Sequence, residues 1–155
     1  MSIGDPTLLK LLVQTTQAFE QELNSRLRAD RYDDLRPAHY AVFRYLDPAG
    51  SRISTLAEAA GMTQQSMGEL ITHLERRGYV ERQVDPADRR GRLVILTDRG
   101  RAALDAAAGH IRAIETQLGH VLGPDGLGDL RSLLTRSGDM FSASTPSGKR
   151  RIPPS

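Results

Sequence analysis

The sequence contains no cysteine and no tryptophan, and only Lys10 and Lys149 among its 21 basic residues are lysines. Without cysteine, the chain can form no disulfide and no thiolate zinc site, and cysteine oxidation cannot regulate it. The chain also lacks an apolar run of about 18 residues, the length that would span a membrane, and it lacks a secretory signal pattern. We therefore expect a cytoplasmic protein with no membrane partner.

Motifs of catalysis and of cofactor binding are absent as well. The four histidines stand in no local His/Asp/Ser or paired-carboxylate arrangement, and no glycine-rich phosphate loop occurs. His110 and His120 are ten residues apart, a spacing that does not put two metal ligands on one helical turn. We predict that the protein is not an enzyme and that it has neither a metal site nor a cofactor.

Arginine is what the chain has in abundance. With 155 residues the chain is long enough for one domain with a sizeable core, and its net charge at pH 7 is +2. A net charge this small does not by itself indicate nucleic-acid binding. Guanidinium groups form bidentate and stacked contacts with nucleic acids, so the positions of the arginines matter more than their number.

The segment from residue 51 to residue 96 is the most informative. It predicts two short helices separated by Gly-Met-Thr, and then two β-type runs joined by an arginine-rich connection. The first helix is expected to begin at a Ser54 cap. The second lies between Thr63, a good N-cap, and Gly78, which suits the left-handed position after a helix end. The order helix, turn, helix, hairpin is that of a winged helix-turn-helix, whose second helix enters the major groove of DNA.

The second helix has an apolar face and a polar face. Gly68 weakens the helix by about 1 kcal/mol relative to alanine, which a close approach to DNA would explain and a helix–helix contact would explain equally. Glu69 argues against DNA contact unless it accepts from a cytosine amino group or stays back from the phosphates. The apolar face consists of Met67, Leu70, Ile71 and Leu74. The opposite face carries Gln65, Glu69, Thr72 and Arg76, flanked by Gln64 and Gly68. The candidate DNA contacts among these residues are Gln64, Gln65, Gly68, Thr72 and Arg76.

The hairpin is predicted from two runs, 79–84 and 93–96, joined by residues 85–92. An arginine at such a tip can enter the minor groove, where the potential is most negative. Asp88 lies two residues before Arg90 and could hold its guanidinium by paired hydrogen bonds. The alternative is an ordinary solvated loop. The candidate DNA contacts in this connection are Asp88, Arg89, Arg90 and Arg92.

Three segments carry a resemblance to a known family. Residues 74–82 read Leu-Glu-Arg-Arg-Gly-Tyr-Val-Glu-Arg, residues 85–90 read Asp-Pro-Ala-Asp-Arg-Arg, and residues 96–100 read Leu-Thr-Asp-Arg-Gly. These patterns resemble those of the MarR family of bacterial transcription regulators, and the likeness extends from about Asp5 to Phe141. It implies that Arg90 is a minor-groove arginine positioned by Asp88. It also implies that the groove-facing side of the helix carries Gln64, Gln65, Ser66 and Thr72.

The flanking segments predict further helices. Asp5-Pro6 is expected to start the first helix, Thr97 to cap a long one that runs to about Leu122, and Arg52-Ile53 to form a third strand. The predicted fold class is mainly α with a small β-wing, and one domain spans residues 1–141. Residues 35–97 would form the winged helix-turn-helix lobe, residues 5–29 and 98–141 a helical dimerisation lobe, and residues 142–155 a disordered tail.

The family resemblance also implies a ligand cleft where the first, second and fifth helices meet. The candidates to line it are Phe19, His39, Tyr40 and Phe43. Aromatic walls with one imidazole would suit a small aromatic acid, stacked on the rings and hydrogen-bonded by His39. The alternative is that the aromatic side chains belong to an ordinary core and that His39 is a histidine satisfied within the protein.

These patterns together predict a transcription regulator that binds double-stranded DNA as a homodimer. A two-fold protein implies a pseudo-palindromic operator, and the predicted mode is ligand-responsive repression. The alternative is a winged-helix module that binds proteins and not DNA. That alternative predicts an apolar or acidic helix face, whereas Gln64, Gln65, Thr72 and the arginines of the hairpin are polar to basic.

Overall fold

A computed structural model describes residues 4–144. They form a mainly helical fold with one two-stranded sheet, which confirms the predicted fold class. The chain divides into two compact units, one ending at Ile114 and the other beginning at Glu115. The helices are α1 (Leu8–Ala29), α2 (Tyr40–Tyr45), α3 (Ile53–Ala60), α4 (Gln64–Arg76), α5 (Asp98–Leu122) and α6 (Gly126–Ala143), and a short 3-10 helix (Pro37–His39) precedes α2. The strands are β1 (Val80–Asp85) and β2 (Asp88–Leu96).

Helix α4 forms as its sequence predicts. The Thr63 hydroxyl oxygen accepts a hydrogen bond from the Ser66 amide at 3.1 Å, which satisfies a backbone donor that the first turn leaves unpaired. After the last turn, Gly78 takes the left-handed conformation with φ of 79°, which releases the chain into β1. The side chains of Met67, Ile71 and Leu74 are fully buried, so the predicted apolar face is the packed one.

The paired strands of the hairpin extend closer to its tip than expected. Strand β2 begins at Asp88, so most of the connection predicted for residues 85–92 belongs to the sheet, and that prediction is wrong. The register shifts after Val84, and the Asp85 carboxylate accepts from the Ala87 amide at 2.9 Å. This side-chain contact closes a tight turn over Pro86 and Ala87, and a longer loop is not needed.

Four predicted boundaries differ from the structure. Helix α1 begins after Thr7, whose hydroxyl caps it, and the predicted start at Asp5-Pro6 is too early. Because α3 begins at Ile53, Ser54 is no cap, and the third strand reduces to a single bridge between Ser51 and Val94. Helix α6 continues to residue 143, two residues into the predicted tail. Residues 145–155 of that tail lie outside the described residues.

A buried tyrosine joins four parts of the first unit. The Tyr79 hydroxyl donates to the carboxylate of Asp34, and the guanidinium of Arg99 lies 4.6 Å from the centre of the Tyr79 ring. Arg77 and Arg99 lie 3.6 and 3.4 Å from the same carboxylate. Burial would raise the pKa of Asp34, but the Tyr79 hydrogen bond and the two arginines outweigh it and leave that pKa lowered. We call these four residues the Tyr79 cluster.

Each unit also leaves large apolar side chains exposed. At the start of α1, Leu8 and Leu9 are 68% and 72% exposed, and in α6 Met140 and Phe141 are 58% and 66% exposed. Contiguous apolar surface of this kind usually marks an interaction site. Within the part of the chain that the structure describes, no helix is long and apolar enough to cross a membrane.

The packing of α5 against β1 generates a first prediction. Gly100→Ala should destabilise the fold, because a Cβ at residue 100 would lie 2.0 Å from the carbonyl oxygen of Tyr79 and 3.0 Å from the Leu96 side chain. Crowding of a well-packed interior lowers the free energy of unfolding by about 1–3 kcal/mol or more. Denaturant unfolding followed by circular dichroism measures the loss.

Gly109→Ala is the matched control in the same helix. A Cβ at residue 109 would meet nothing within 4 Å, and alanine is favoured over glycine in a helix by about 0.5–1 kcal/mol. The two variants should therefore move in opposite directions. An equal loss of stability in both would contradict the described packing of Gly100 against Tyr79.

Candidate nucleic-acid interface

The polar face of α4 is open to solvent. Gln64, Gln65 and Ser66 are exposed, and Arg76 is exposed at the far end of the helix. A Cβ at Gly68 would meet nothing within 4 Å, so no helix–helix contact within residues 4–144 accounts for the glycine. The sequence allowed two explanations for this glycine, a helix–helix contact and a close approach to DNA. The approach of another molecule is the one that remains.

Arg82 of strand β1 contacts side chains of this face, and the sequence did not indicate it as a functional residue. Arg82 donates to the Thr72 hydroxyl oxygen at 3.1 Å and forms an ion pair with Glu75. Thr72 is therefore held in place by the strand. A shallow groove follows this part of the helix, and its walls include Gln65, Gly68, Glu69, Thr72 and Arg76. Four of the predicted contact positions, Gln65, Gly68, Thr72 and Arg76, thus lie side by side on one surface together with Glu69.

The hairpin is tied to α3 by Arg52. Its Nε and Nη2 atoms lie 3.0 and 2.7 Å from Oδ2 of Asp85, and Nη2 lies 3.5 Å from Oδ2 of Asp88. A Cβ at Gly91 would come within 2.5 Å of this guanidinium, so a larger residue there would require the end of the Arg52 side chain to shift. The hydrogen bonds from Arg52 and from the Ala87 amide lower the pKa of Asp85, which favours its ionised form. The hairpin therefore has a fixed position against α3.

Asp88 contacts Arg90 through the backbone. One carboxylate oxygen accepts from the Arg90 amide at 3.1 Å, and the other faces Arg52. The pairing predicted between Asp88 and the Arg90 guanidinium is thus replaced by a pairing with Arg52, because Arg52 approaches the same carboxylate from α3. Among the described residues, no carboxylate pairs with the exposed side chains of Arg89, Arg90 and Arg92. These three arginines are therefore available to an external anion.

A cavity of about 280 Å³ lies within the first unit. Phe19, Tyr40 and Phe43 line it, as predicted for a ligand cleft, and the Tyr40 hydroxyl donates to Asn24 at 3.1 Å. Burial, and then the charge of Glu20, raise the pKa of Tyr40 to about 12, so this hydroxyl stays protonated. The charged groups at the wall are Glu20 and Arg44, whose side chains approach to 3.9 Å. The remaining walls are Leu23, Leu27, Leu35, Ala103, Leu104, Ala107 and Ile111.

His39 does not line this cavity. Its ring is 4% exposed, Nδ1 accepts from the Arg36 amide at 3.0 Å, and the ring stacks on His73 of α4 with centroids 4.8 Å apart. Burial, and then the neighbouring His73, lower the pKa of His39 to about 4, so the ring is neutral at pH 7. The predicted grouping of His39 with the three aromatic residues is wrong. The alternative, a histidine satisfied within the protein, describes it.

Comparison with known proteins identifies the family of the chain. The sequence matches a model of the MarR family over residues 33–91. The transcriptional regulator HosA of Escherichia coli O111:H- is 38% identical over 101 residues, which are 64% of this chain and 68% of HosA.

Two solved structures are similar over most of their length. The transcriptional repressor CouR bound to a 23-mer DNA duplex aligns with a TM-score of 0.73 and 26% identity, covering 89% of this chain and 98% of that one. CouR from Rhodococcus jostii RHA1 bound to p-coumaroyl-CoA aligns with a TM-score of 0.65 and 25% identity, covering 82% and 88%. Together with the winged helix-turn-helix geometry of the first unit, these similarities show that the chain belongs to the MarR family of transcriptional regulators.

Proposed function

We propose that this regulator binds a pseudo-palindromic operator in double-stranded DNA as a homodimer and represses transcription. Helix α4 enters the major groove and the β1–β2 hairpin lies at the minor groove. The observation that supports this most strongly is the contrast among the arginines. Arg52 and Arg82 are neutralised by carboxylates of the protein, whereas Arg89, Arg90 and Arg92 on the hairpin have no carboxylate partner among the described residues.

The proposed homodimer rests on the exposed apolar side chains of α1 and α6. An isolated chain gains nothing from leaving Leu8, Leu9 or Phe141 in water, and pairing with a second copy would cover such surface. The division into a DNA-binding lobe and a dimerisation lobe stays a prediction. A protein that acts on chromosomal DNA works where that DNA lies, so the predicted cytoplasmic location is part of the same proposal.

Arg90→Ala tests the proposed mode of DNA binding. The variant should bind all duplexes more weakly and should lower the slope of log affinity against log salt by about one, because one phosphate contact is lost. Fluorescence anisotropy with labelled operator and random duplexes, over a series of salt concentrations, measures both effects.

Arg28→Ala removes the same charge from an exposed position on α1 and serves as the control. It should leave the salt slope unchanged. If Arg90→Ala and Arg28→Ala give the same slope as the wild type, the hairpin does not contact the phosphates and the proposed docking is wrong.

We propose further that the cavity in the first unit binds a small aromatic acid as effector. Its volume of about 280 Å³ is close to the lower end of the range of about 300–1,000 Å³ for small-molecule sites, and its walls are mainly apolar and aromatic. The group that would hold the ligand carboxylate is Arg44, and not His39 as first predicted. The pairing of Arg44 with Glu20, at 3.9 Å, is loose enough for a ligand to replace it.

A contact in the first unit could transmit effector binding to the DNA-binding elements. Phe43 lines the cavity, and its ring meets the buried Tyr79 edge-on with centroids 6.4 Å apart. Tyr79 in turn lies between the end of α4 and the start of β1. A ligand that moves Phe43 would favour a different position of Tyr79. By linkage, operator DNA would then weaken effector binding by the same factor.

A ligand pair tests the assigned role of Arg44. Salicylate should bind more tightly than salicylamide, which has the same ring but no charge. Arg44→Gln should weaken salicylate binding roughly 10-fold and leave salicylamide unaffected, because a charge-assisted hydrogen bond is lost. Isothermal titration calorimetry measures both ligands, with Arg28→Gln as the control for net charge. If the Arg44→Gln variant keeps the wild-type preference for salicylate, the site or the ligand class is wrong.

A further inference from the structure

Glu69 is an exposed carboxylate on the polar face of α4. Within residues 4–144, neither a salt bridge nor a side-chain hydrogen bond involves it, whereas the nearby Glu75 is neutralised by Arg82. An ion pair within the protein therefore does not account for this acidic residue. On a surface that meets DNA phosphates, an unpaired negative charge lowers the affinity unless it makes a favourable contact with the DNA.

Gly68 directly precedes Glu69 and is equally unexplained by the fold. Glycine weakens a helix relative to alanine. No contact among the described residues compensates, because a Cβ at residue 68 would meet nothing within 4 Å. The two residues border one groove together with Gln65 and Thr72. The groove is open at Gly68 and carries a negative charge at Glu69. Gln65 and Thr72 place uncharged hydrogen-bonding groups on either side.

The chemistry of a carboxylate restricts what it can contact in the major groove. An ionised glutamate only accepts hydrogen bonds. Cytosine presents its N4 amino group as a donor in this groove, and guanine presents two acceptors that would repel the carboxylate. Adenine presents a donor beside an acceptor, a pattern that an amide matches and a carboxylate does not. Cytosine is therefore the base that glutamate fits best.

We propose that Glu69 reads a cytosine in each operator half-site by accepting a hydrogen bond from the N4 amino group. Gly68 leaves the space in which the edge of the base pair approaches the helix. This inference rests on the proposed DNA binding by α4 and adds the identity of one base to it.

Selection from a randomised duplex library, with the full-length wild-type protein, identifies the preferred site. Affinities are then measured by fluorescence anisotropy for the selected duplex and for duplexes in which one C·G pair is replaced. The wild type should select cytosine at one symmetric position of each half-site. Each replacement of that C·G pair should lower its affinity roughly 5- to 150-fold. Glu69→Gln should lose this discrimination or transfer it to adenine, with which glutamine pairs bidentately.

Two controls separate base reading from charge and from helix stability. Glu58→Gln removes the same charge from an exposed position on α3, and it should leave the base preference unchanged. Gly68→Ala should raise the melting temperature and yet weaken binding to the selected duplex. Gly109→Ala, also a helical glycine with nothing near its Cβ, should raise the melting temperature without weakening binding.

The outcomes distinguish this inference from the proposed function. If the wild type selects a duplex and Glu69→Gln keeps the same preference at every position, base reading by Glu69 is overturned and DNA binding stands. If Gly68→Ala binds the selected duplex as tightly as the wild type, the role of Gly68 is overturned. If the wild type retains no duplex at all, the proposed function fails and the inference fails with it.

Discussion

The hydrogen bond from Tyr79 to Asp34 is the contact on which the arrangement of the first unit depends. The ring is fully buried, and the residue lies directly before β1 and three residues after the end of α4. Asp34 also faces Arg77, which follows α4, and Arg99, which lies in the first turn of α5. The Asp34 carboxylate therefore has partners between α4 and β1 and in the first turn of α5. These two segments set the directions of α4, of the hairpin and of α5. The Tyr79 side chain is buried, and a buried hydroxyl without a hydrogen-bond partner would be costly, so the contact with Asp34 stabilises this arrangement.

The second constraint is Arg52, which fixes the hairpin from the other side. Its contacts with Asp85 and Asp88 join α3 to the turn of the hairpin. The Tyr79 cluster holds the base of the hairpin, and Arg52 holds its tip. Because both ends of the hairpin have side-chain contacts, the three unpaired arginines of β2 lie on a strand with a defined position. This matters for DNA binding, since a mobile loop would lose conformational entropy on contact.

The arginines around the hairpin thus fall into two groups with different consequences. Arg52 and Arg82 are paired with carboxylates of the protein and contribute little to the external field. Arg89, Arg90 and Arg92 on β2 remain for anions outside the protein. A net charge of +2 is compatible with DNA binding for this reason, because the charge that matters is local. The same reasoning makes the unpaired Glu69 informative, since acidic residues elsewhere on the DNA-binding elements have partners.

Features set by neighbouring residues could be predicted from the sequence. The α4 helix depends on Thr63, on Gly78 and on a spacing of apolar residues within one element, and all of these are local. Features set by residues far apart could not. The contact between Arg52 and Asp85 joins positions 33 residues apart, and no periodicity indicates it.

The lining of the ligand cleft could not be predicted in full either, although its candidate residues are close together in the sequence. Tyr40 and Phe43 are three residues apart on α2 and share a face, as helical geometry requires. His39 belongs to the preceding 3-10 helix, where its side chain points instead to His73 of α4. Adjacent positions in the sequence therefore line different surfaces. Arg44, one residue beyond Phe43, lies at the cavity wall, where the sequence predicted His39 as the polar group.

Site-directed cleavage of DNA tests the central claim, which is that α4 and the hairpin form the DNA-binding surface. The chain contains no cysteine, so a single one can be introduced and labelled with an iron–EDTA reagent. Ala87 lies exposed at the hairpin turn, and Ser25 lies exposed on α1 of the same unit. A label on Ala87→Cys should cut the operator at the two outer edges of the binding site, and a label on Ser25→Cys should not cut it. Cleavage from Ser25→Cys with none from Ala87→Cys would contradict this claim.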